Sequence, residues 1–114
     1  FRAARFRPAF GKHAGEVCSG LEVHVTDRAA LRPLEMGLRV LQTIRDHDPE
    51  SFGWRPDPYE FVADVPALDL LTGSPDCRDI IETGASLDPI LDGWRSWVAD
   101  FEETLDGILL YRDP

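Results

Sequence analysis

SLDPILDGWRSWVADFEETL, the sequence of residues 86–105, carries the clearest hydrophobic periodicity in the chain. Its apolar side chains recur every three or four residues, which is the period of an amphipathic helix. They are Leu87, Ile90, Leu91, Trp94, Trp97, Val98, Phe101 and Leu105. Ser86 precedes them, and its hydroxyl can accept the N–H groups of a first helical turn. The pattern therefore predicts a long helix that begins after Ser86 and buries its apolar face.

Three shorter helices are predicted before this one. The first begins near Pro33, which suits a first helical turn, and ends before Asp48. Its apolar stripe consists of Leu34, Leu38, Leu41 and Ile44. The second covers residues 66–71 and the third begins at residue 74. Gly73 and Gly84 follow them, where a left-handed C-cap is expected.

Both ends of the chain are predicted to form strands. An extended segment over residues 5–10 precedes a turn and a second strand over residues 16–26. From residue 21 the side chains alternate strictly, which places apolar residues on one strand face and polar residues on the other. The apolar set is Leu21, Val23 and Val25, and the polar set is Glu22, His24 and Thr26. Gly20 interrupts the alternation, as a bulge or a close approach of the backbone would.

Residues 108–111, ILLY, form an apolar run that is too short for a helix and predicts a strand buried on both faces. The expected fold class is α+β. In it, the N-terminal strands and the C-terminal strand form a small sheet packed against three to four helices. With 114 residues, residues 1–114 are expected to form a single domain.

Charge and composition exclude several classes of function. The formal net charge of −9 disfavours nucleic acid and anionic membrane surfaces as partners, and no apolar run approaches the length of a membrane span. The two cysteines, Cys18 and Cys77, are too few for a disulfide scaffold. One bridge between them is left open, and two half-buried thiols are the favoured alternative.

No catalytic signature is present in the sequence by itself. The three histidines, His13, His24 and His47, are dispersed over a turn, a strand and a helix end. There is no glycine-rich phosphate loop, nucleophile elbow or paired histidine motif for a metal. We therefore expect no catalytic residue, no metal and no cofactor in this chain.

A motif that begins in the N-terminal strands resembles a known family. It reads Phe6-x-Pro8-x-Phe10-x-Lys12-x-x-Gly15-x-x-Cys18-x-Gly20-x-x-x-His24-Val25-Thr26-Asp27. It continues with Pro33-x-x-x-Gly37-Leu38, Asp69-x-Leu71-x-Gly73, Arg78, Gly84, Trp94, Phe101 and Leu109-Leu110-Tyr111. Together these residues resemble the C-terminal domain of the bacterial exo-β-N-acetylmuramidases, formerly a domain of unknown function.

The resemblance implies the auxiliary domain of a two-domain peptidoglycan glycosidase. Such an enzyme removes terminal N-acetylmuramic acid from peptidoglycan fragments. Its catalytic Rossmann-like N-terminal domain, absent from residues 1–114, would be the partner of this domain, which walls one side of the active cleft. A muramyl sugar is the expected ligand, and the expected location is the cell envelope or outside the bacterial cell, with the cytoplasm as the alternative.

Lys12, His24 and Asp27 are the residues expected to contact substrate or the partner domain. Lys12 would meet the lactyl carboxylate of the sugar, and His24 would donate a hydrogen bond to a hydroxyl or acetamido oxygen. In the structural alternative, Lys12 and Asp27 are turn and cap residues and His24 meets the partner domain. Asp27 is in any case suited to cap the turn that follows it.

The sequence departs from the family pattern at three positions. Leu31 and Ile108 replace aromatic residues, which conserves apolar packing, whereas Leu105 stands where the family tends to carry an arginine. The change at Leu105 leaves open a different specificity.

Two other functions stay open from the sequence. One is a stand-alone interaction module that binds a protein through Glu22, His24 and Thr26. The other is an enzyme complete in itself, and it would use acids such as Asp27, Glu60 or Asp69.

Overall fold

The computed structural model describes residues 1–105 and 107–111 and divides into two compact units, Phe1–Arg32 and Pro33–Pro114. The first unit contains an antiparallel hairpin. Strands β1 (Arg2–Phe6) and β2 (Cys18–Glu22) pair in a continuous register from Arg2 opposite Glu22 to Phe6 opposite Cys18. The loop between them is closed by the N–H of Gly15, which donates to the carbonyl of Pro8 at 2.9 Å.

Gly20 lies inside this ladder, opposite Ala4, without a bulge. A Cβ at position 20 would lie 3.3 Å from Cε1 of Phe6, closer than most carbon contacts. The interruption in the alternation therefore marks a close approach, in which the ring of Phe6 lies over the glycine.

The prediction that the second strand reaches Thr26 is wrong. β2 ends at Glu22, and residues 23–26 have no strand structure. The ladder ends with the pair Arg2–Glu22, so no described strand faces these residues. Alternation of side chains indicates a strand only where a neighbouring strand can satisfy the main-chain hydrogen bonds.

The second unit contains the four helices, named α1 to α4 in chain order. They span Pro33–His47, Ala67–Thr72, Asp76–Thr83 and Asp88–Leu105. The predicted glycine caps are confirmed, because Gly73 and Gly84 have φ values of 80° and 71°. The hydroxyl of Ser86 accepts the N–H of Asp88 at 3.1 Å, as expected of a capping residue. None of the described helices has the length and apolar character that crossing a membrane requires.

The core of the helical unit joins α1, α3 and α4. Its buried members are Leu38, Cys77, Ile81, Leu87 and Leu91. Half-buried side chains pack around it, namely Leu41, Phe52, Trp54, Leu68, Ile80, Ile90 and Trp94. The predicted apolar stripes are therefore buried only at their centres. Leu34 and Ile44 of α1 are exposed, and on α4 the exposed ring of Trp97 stacks on Phe101 with centroids 5.2 Å apart.

The prediction of a C-terminal strand is also wrong. The N–H groups of Ile108 and Leu109 both donate to the carbonyl of Leu105, at 2.8 and 3.0 Å, so the chain turns back on the end of α4. The side chains of residues 108–111 are exposed instead of buried on two faces. The α+β class itself is confirmed, with a sheet of two strands in the described part of the chain. Packing of the sheet against the helices stays a prediction.

Candidate functional site

The hairpin brings Arg2, Glu22 and His24 together. The cross-strand pair of Arg2 and Glu22 is joined by a bond from Nη2 to Oε2 of 2.6 Å. Nε2 of His24 lies 3.4 Å from the same Oε2. All three side chains are close to half exposed or more, so water screens their charges and each pair adds little to stability. The Glu22 carboxylate is thus shared between a guanidinium and an imidazole.

Asp27 caps the turn that follows it, as the sequence predicts. Its Oδ1 accepts the N–H of Ala29 at 2.9 Å and that of Ala30 at 3.1 Å. Two main-chain donors on one carboxylate oxygen hold the local backbone in a single shape. The structure therefore gives Asp27 the cap role of the structural alternative.

Lys12 lies in the exposed loop of the hairpin. Its neighbours Gly11 and His13 have φ values of 77° and 56°, so the backbone here is tightly turned. His13 contacts Glu16 through Nδ1 and Oε2 at 3.3 Å. Within residues 1–105 and 107–111, Lys12 makes no ion pair or hydrogen bond, which leaves its ammonium to solvent.

The three residues singled out from the sequence are not joined to one another. All belong to the hairpin unit and all are exposed, but no hydrogen bond or ion pair in the described chain connects Lys12, His24 and Asp27. Their roles differ: Lys12 offers a solvated cation, His24 a ring nitrogen beside a carboxylate, and Asp27 a local cap. Contact with a substrate or a partner domain stays a prediction for each of them.

A groove of about 320 Å³ lies in the helical unit, lined by Trp54, Val65, Arg78 and Glu82 among others. Nε1 of Trp54 donates to Oε1 of Glu82 at 2.7 Å. Nε of Arg78 lies 3.0 and 3.1 Å from the two oxygens of Asp69. That hydrogen bond raises the pKa of Arg78, although desolvation opposes it, so the guanidinium stays charged. The polar groups at this groove thus bind one another, and the bond from Trp54 to Glu82 joins the segment before α2 to α3.

Sequence reasoning missed this network and the Arg2–Glu22 pair. The spacing of Arg78 and Glu82, four residues apart on one helix, was a readable signal. The partners Trp54 and Glu82 are 28 residues apart, and Arg2 and Glu22 are 20 apart, so neither pair carries a local signal.

The described residues hold no metal-ligating cluster, and the environment of Cys77 disfavours its use as a nucleophile. Cys77 is buried, and burial raises the pKa of its thiol, which disfavours the nucleophilic thiolate. Both cysteines are free, as the favoured alternative has it, but only Cys18 is half-buried, whereas Cys77 is fully buried. No group of three or more side chains able to hold a metal ion is found among residues 1–105 and 107–111. Of the acids considered for catalysis, Asp27 and Asp69 are engaged within the protein.

These features define a small acidic α+β domain with a hairpin unit and a helical unit. The chain belongs to the family described as exo-β-N-acetylmuramidase NamZ, C-terminal, which matches residues 1–111. It is 36% identical over 111 residues to the peptidoglycan β-N-acetylmuramidase NamZ of Bacillus subtilis strain 168. The alignment covers 97% of this chain and 25% of that relative, so the chain spans a quarter of the relative's length. No solved structure matches the chain.

Proposed function

We propose that this chain is the C-terminal accessory domain of an exo-acting β-N-acetylmuramidase. In this proposal an N-terminal catalytic domain of the same polypeptide hydrolyses terminal N-acetylmuramic acid from peptidoglycan fragments. The observation that carries the proposal is the family match over residues 1–111, together with a relative of which this match covers only a quarter. The remaining three quarters of such a protein would contain the catalytic domain.

The accessory domain is proposed to wall one side of the active cleft. A wall beside the terminal sugar blocks a continuing glycan and turns an open groove into a pocket for chain ends. Glycoside hydrolysis itself requires carboxyl groups on both sides of the scissile bond. The cap role of Asp27 and the ion pair of Asp69 support a contribution by shape instead of by acid catalysis.

Lys12 and His24 are the proposed contacts of the domain. The solvated ammonium of Lys12 suits the lactyl carboxylate of a muramyl sugar, since a charged pair strengthens a hydrogen bond. His24 would donate from its ring to a hydroxyl or acetamido oxygen, or to a group of the catalytic domain. Asp27 would hold the turn beside His24 in shape.

Deletion tests the proposal for the whole domain. We expect the longer protein to release sugar from a chromogenic N-acetylmuramide, and the same protein without residues 1–114 to lose end selectivity on glycan strands. The measurement compares terminal with internal cleavage products for the two proteins. A longer protein without muramidase activity contradicts the proposed function, and unchanged selectivity after deletion contradicts the cleft-walling role.

Substitution tests the proposed contacts one at a time. Loss of one hydrogen bond to substrate in K12A or H24A should raise KM by about tenfold in the longer protein. The matched controls are R7A and H13A, which remove an exposed cation and an exposed imidazole from the same unit. Thermal midpoints should be unchanged in all four variants. If K12A and H24A lower the midpoint and leave KM unaltered, the two residues are structural.

We also propose a cell-envelope or secreted location for the longer protein, because peptidoglycan is found there. Fractionation of cells that express it at native levels tests this. Recovery in the cytoplasm would favour a role in wall recycling instead.

A further inference from the structure

Residues 23–26 have the pattern of a strand but no strand beside them. Val23 and Val25 continue the face of Leu21, and their side chains are 45% and 49% exposed. Within the described residues, the main chain of residues 24–26 makes no backbone hydrogen bond. Residues 23–25 have no regular secondary structure, and Thr26 lies at a bend. A segment with strand alternation and unpaired N–H and C=O groups is a template for another strand.

The hairpin unit would gain stability from such a strand. Residues 1–32 contain no buried residue, so little apolar burial holds this unit together. Leu21, on the face that Val23 and Val25 continue, is 69% exposed. Two short strands alone are marginally stable in water, and a longer or wider sheet gains both hydrogen bonds and side-chain pairs.

The register of the hairpin identifies what would face residues 24–26. β1 and β2 pair without a bulge, and Arg2 stands opposite Glu22. If the pairing continues in the same direction, Phe1 faces Val23. The three residues before Phe1 in a longer protein then face Thr26, Val25 and His24, in chain order. A continuation of β1 therefore has the direction and the register that residues 24–26 require.

The position of this domain in its family favours that occupant over a second copy or a foreign strand. The B. subtilis relative is four times as long as the region matched, and the proposed function places the catalytic domain before this one. A segment covalently joined to β1 reaches its pairing partner without closing a new loop, so its effective concentration is high.

We infer that the residues immediately before Phe1 continue β1 and pair with residues 24–26, so that the link from the catalytic domain is a β-ribbon. This inference rests on the proposed function and deepens it. The ribbon would run beside His24 and end at the turn capped by Asp27, which places both residues at the junction of the two domains. A paired strand would also fix the orientation of the domains, as a flexible linker would not.

Hydrogen exchange of the longer protein tests the ribbon. We expect amides within residues 24–26 to exchange about tenfold or more slowly than unstructured amides. Each of the three residues before Phe1 is then replaced in turn by proline, which removes a donor and breaks strand pairing. At least one variant should lose the protection, while the amides of α3 stay protected as the folding control. Unprotected amides in the unsubstituted protein overturn the inference, and so does protection that survives all three prolines.

Disulfide trapping tests the register independently. In a Cys18→Ser background, V25C is combined with a cysteine at the second residue before Phe1, which the inference places directly opposite. Facing residues of an antiparallel pair lie within the range that a disulfide spans. The matched control carries the cysteine at the first residue before Phe1, whose side chain points to the other face. Preferential bridging in the control overturns the proposed register.

The two proposals fail separately in these experiments. Release of sugar from a chromogenic N-acetylmuramide is measured on the same unsubstituted protein. Sugar release without protection of residues 24–26 rejects the ribbon and retains the muramidase, whereas protection without sugar release does the reverse.

Discussion

Asp69 is the one charged residue classed as buried in the described chain, with 8% of its surface exposed. Nε of Arg78 donates to its carboxylate, and Nη1 of the same arginine contacts Asp79 and Glu82. A buried carboxylate without its partner retains the cost of leaving water and loses the attraction that offset it. Breaking the Asp69–Arg78 pair should therefore cost more stability than the intact pair contributes to the fold.

Removal of the Arg78 guanidinium should lower the free energy of unfolding, because the buried Asp69 carboxylate would be left without its partner. Urea denaturation of R78A measures this loss. The double variant R78A/D69N is the control, and it should recover part of the stability because no buried charge remains. Equal stability of R78A and the unsubstituted protein would contradict the role assigned to this pair.

Asp27 is expected to stabilise the turn that it caps. D27A should lower the free energy of unfolding of the hairpin unit by about 1 kcal/mol, since two N–H groups lose their acceptor. D27N is the matched control, because its amide oxygen can accept the same bonds. Hydrogen exchange at Ala29 and Ala30 reports the loss directly. Faster exchange in D27N than in D27A would be inconsistent with the cap.

The difference between predicted and missed residues follows from the distance between partners along the chain. Asp27 was predicted correctly as a cap because its donors lie two and three residues away. The Arg2–Glu22 pair depends on the register of two strands, which no local pattern specifies. Contacts made through tertiary structure are thus the part of the candidate site that the sequence left unresolved.

At the scale of elements, Gly84 leaves less space for a side chain than Gly73, the other glycine cap. Both caps have a left-handed backbone, but a Cβ at Gly84 would lie 2.7 Å from Nη1 of Arg45, whereas Gly73 has open space. G73A should therefore cost about 1 kcal/mol, from backbone strain alone. G84A should cost more, since Arg45 must also give up its place beside the carbonyl of Glu82. Thermal denaturation compares the two, and equal losses would show that Arg45 moves aside freely.

Helices α1 and α4 are joined by two ion pairs, and each helix supplies the arginine of one pair. Arg39 of α1 donates to Asp88 at 2.6 Å, and Arg95 of α4 donates to Glu35 at 2.9 Å. Hydrogen bonds from Arg95 and then Arg39 lower the pKa of Glu35 below its ordinary 4.5. Hydrogen bonds from Arg39 and Ser86 lower the pKa of Asp88 below its ordinary 3.8.

These lowered pKa values predict that the free energy of unfolding falls at acid pH. A carboxylate whose pKa falls on folding stabilises the fold above its unfolded pKa, and the contribution disappears as pH falls through the folded pKa. Stability from Glu35 should therefore be complete above about pH 4.5 and decline below it. Denaturant midpoints measured from pH 6 downward test this, and the decline of the midpoint with falling pH should be shallower in E35Q. The same decline in E35Q would show that water completely screens the ion pair of Glu35 and Arg95.

In the elements that were predicted correctly the local signal determines the structure, whereas in the two errors a local strand signal has no neighbouring strand in the described chain. Helix caps and three-to-four-residue periodicity indicated α1 to α4. The apolar run at residues 108–111 resembled a buried strand, but its first two N–H groups bond to Leu105 and continue the turn that ends α4. Residues 23–26 have strand alternation, yet a strand also requires a neighbour, and the described ladder ends at Glu22.

At the scale of the whole molecule, apolar burial is distributed unequally. Every side chain of the buried core, including Leu38, Ile81 and Leu91, belongs to the helical unit. Burial of apolar surface is the main source of folding free energy. The helical unit therefore has the means to fold through its own core, whereas the hairpin unit depends on backbone pairing, its capped turn and whatever covers its apolar face.

Two leucine substitutions distinguish these sources of stability. Leu38 is 1% exposed and Leu21 is 69% exposed, so the same change to alanine removes a core contact in one unit and a solvated side chain in the other. L38A should lower the free energy of unfolding by about 3 kcal/mol, and L21A by less than about 0.5 kcal/mol. Chemical denaturation with an unchanged dependence on denaturant measures both. If L21A in the longer protein costs as much as L38A, a partner surface covers that face of the hairpin, because a solvated leucine has no packing to lose.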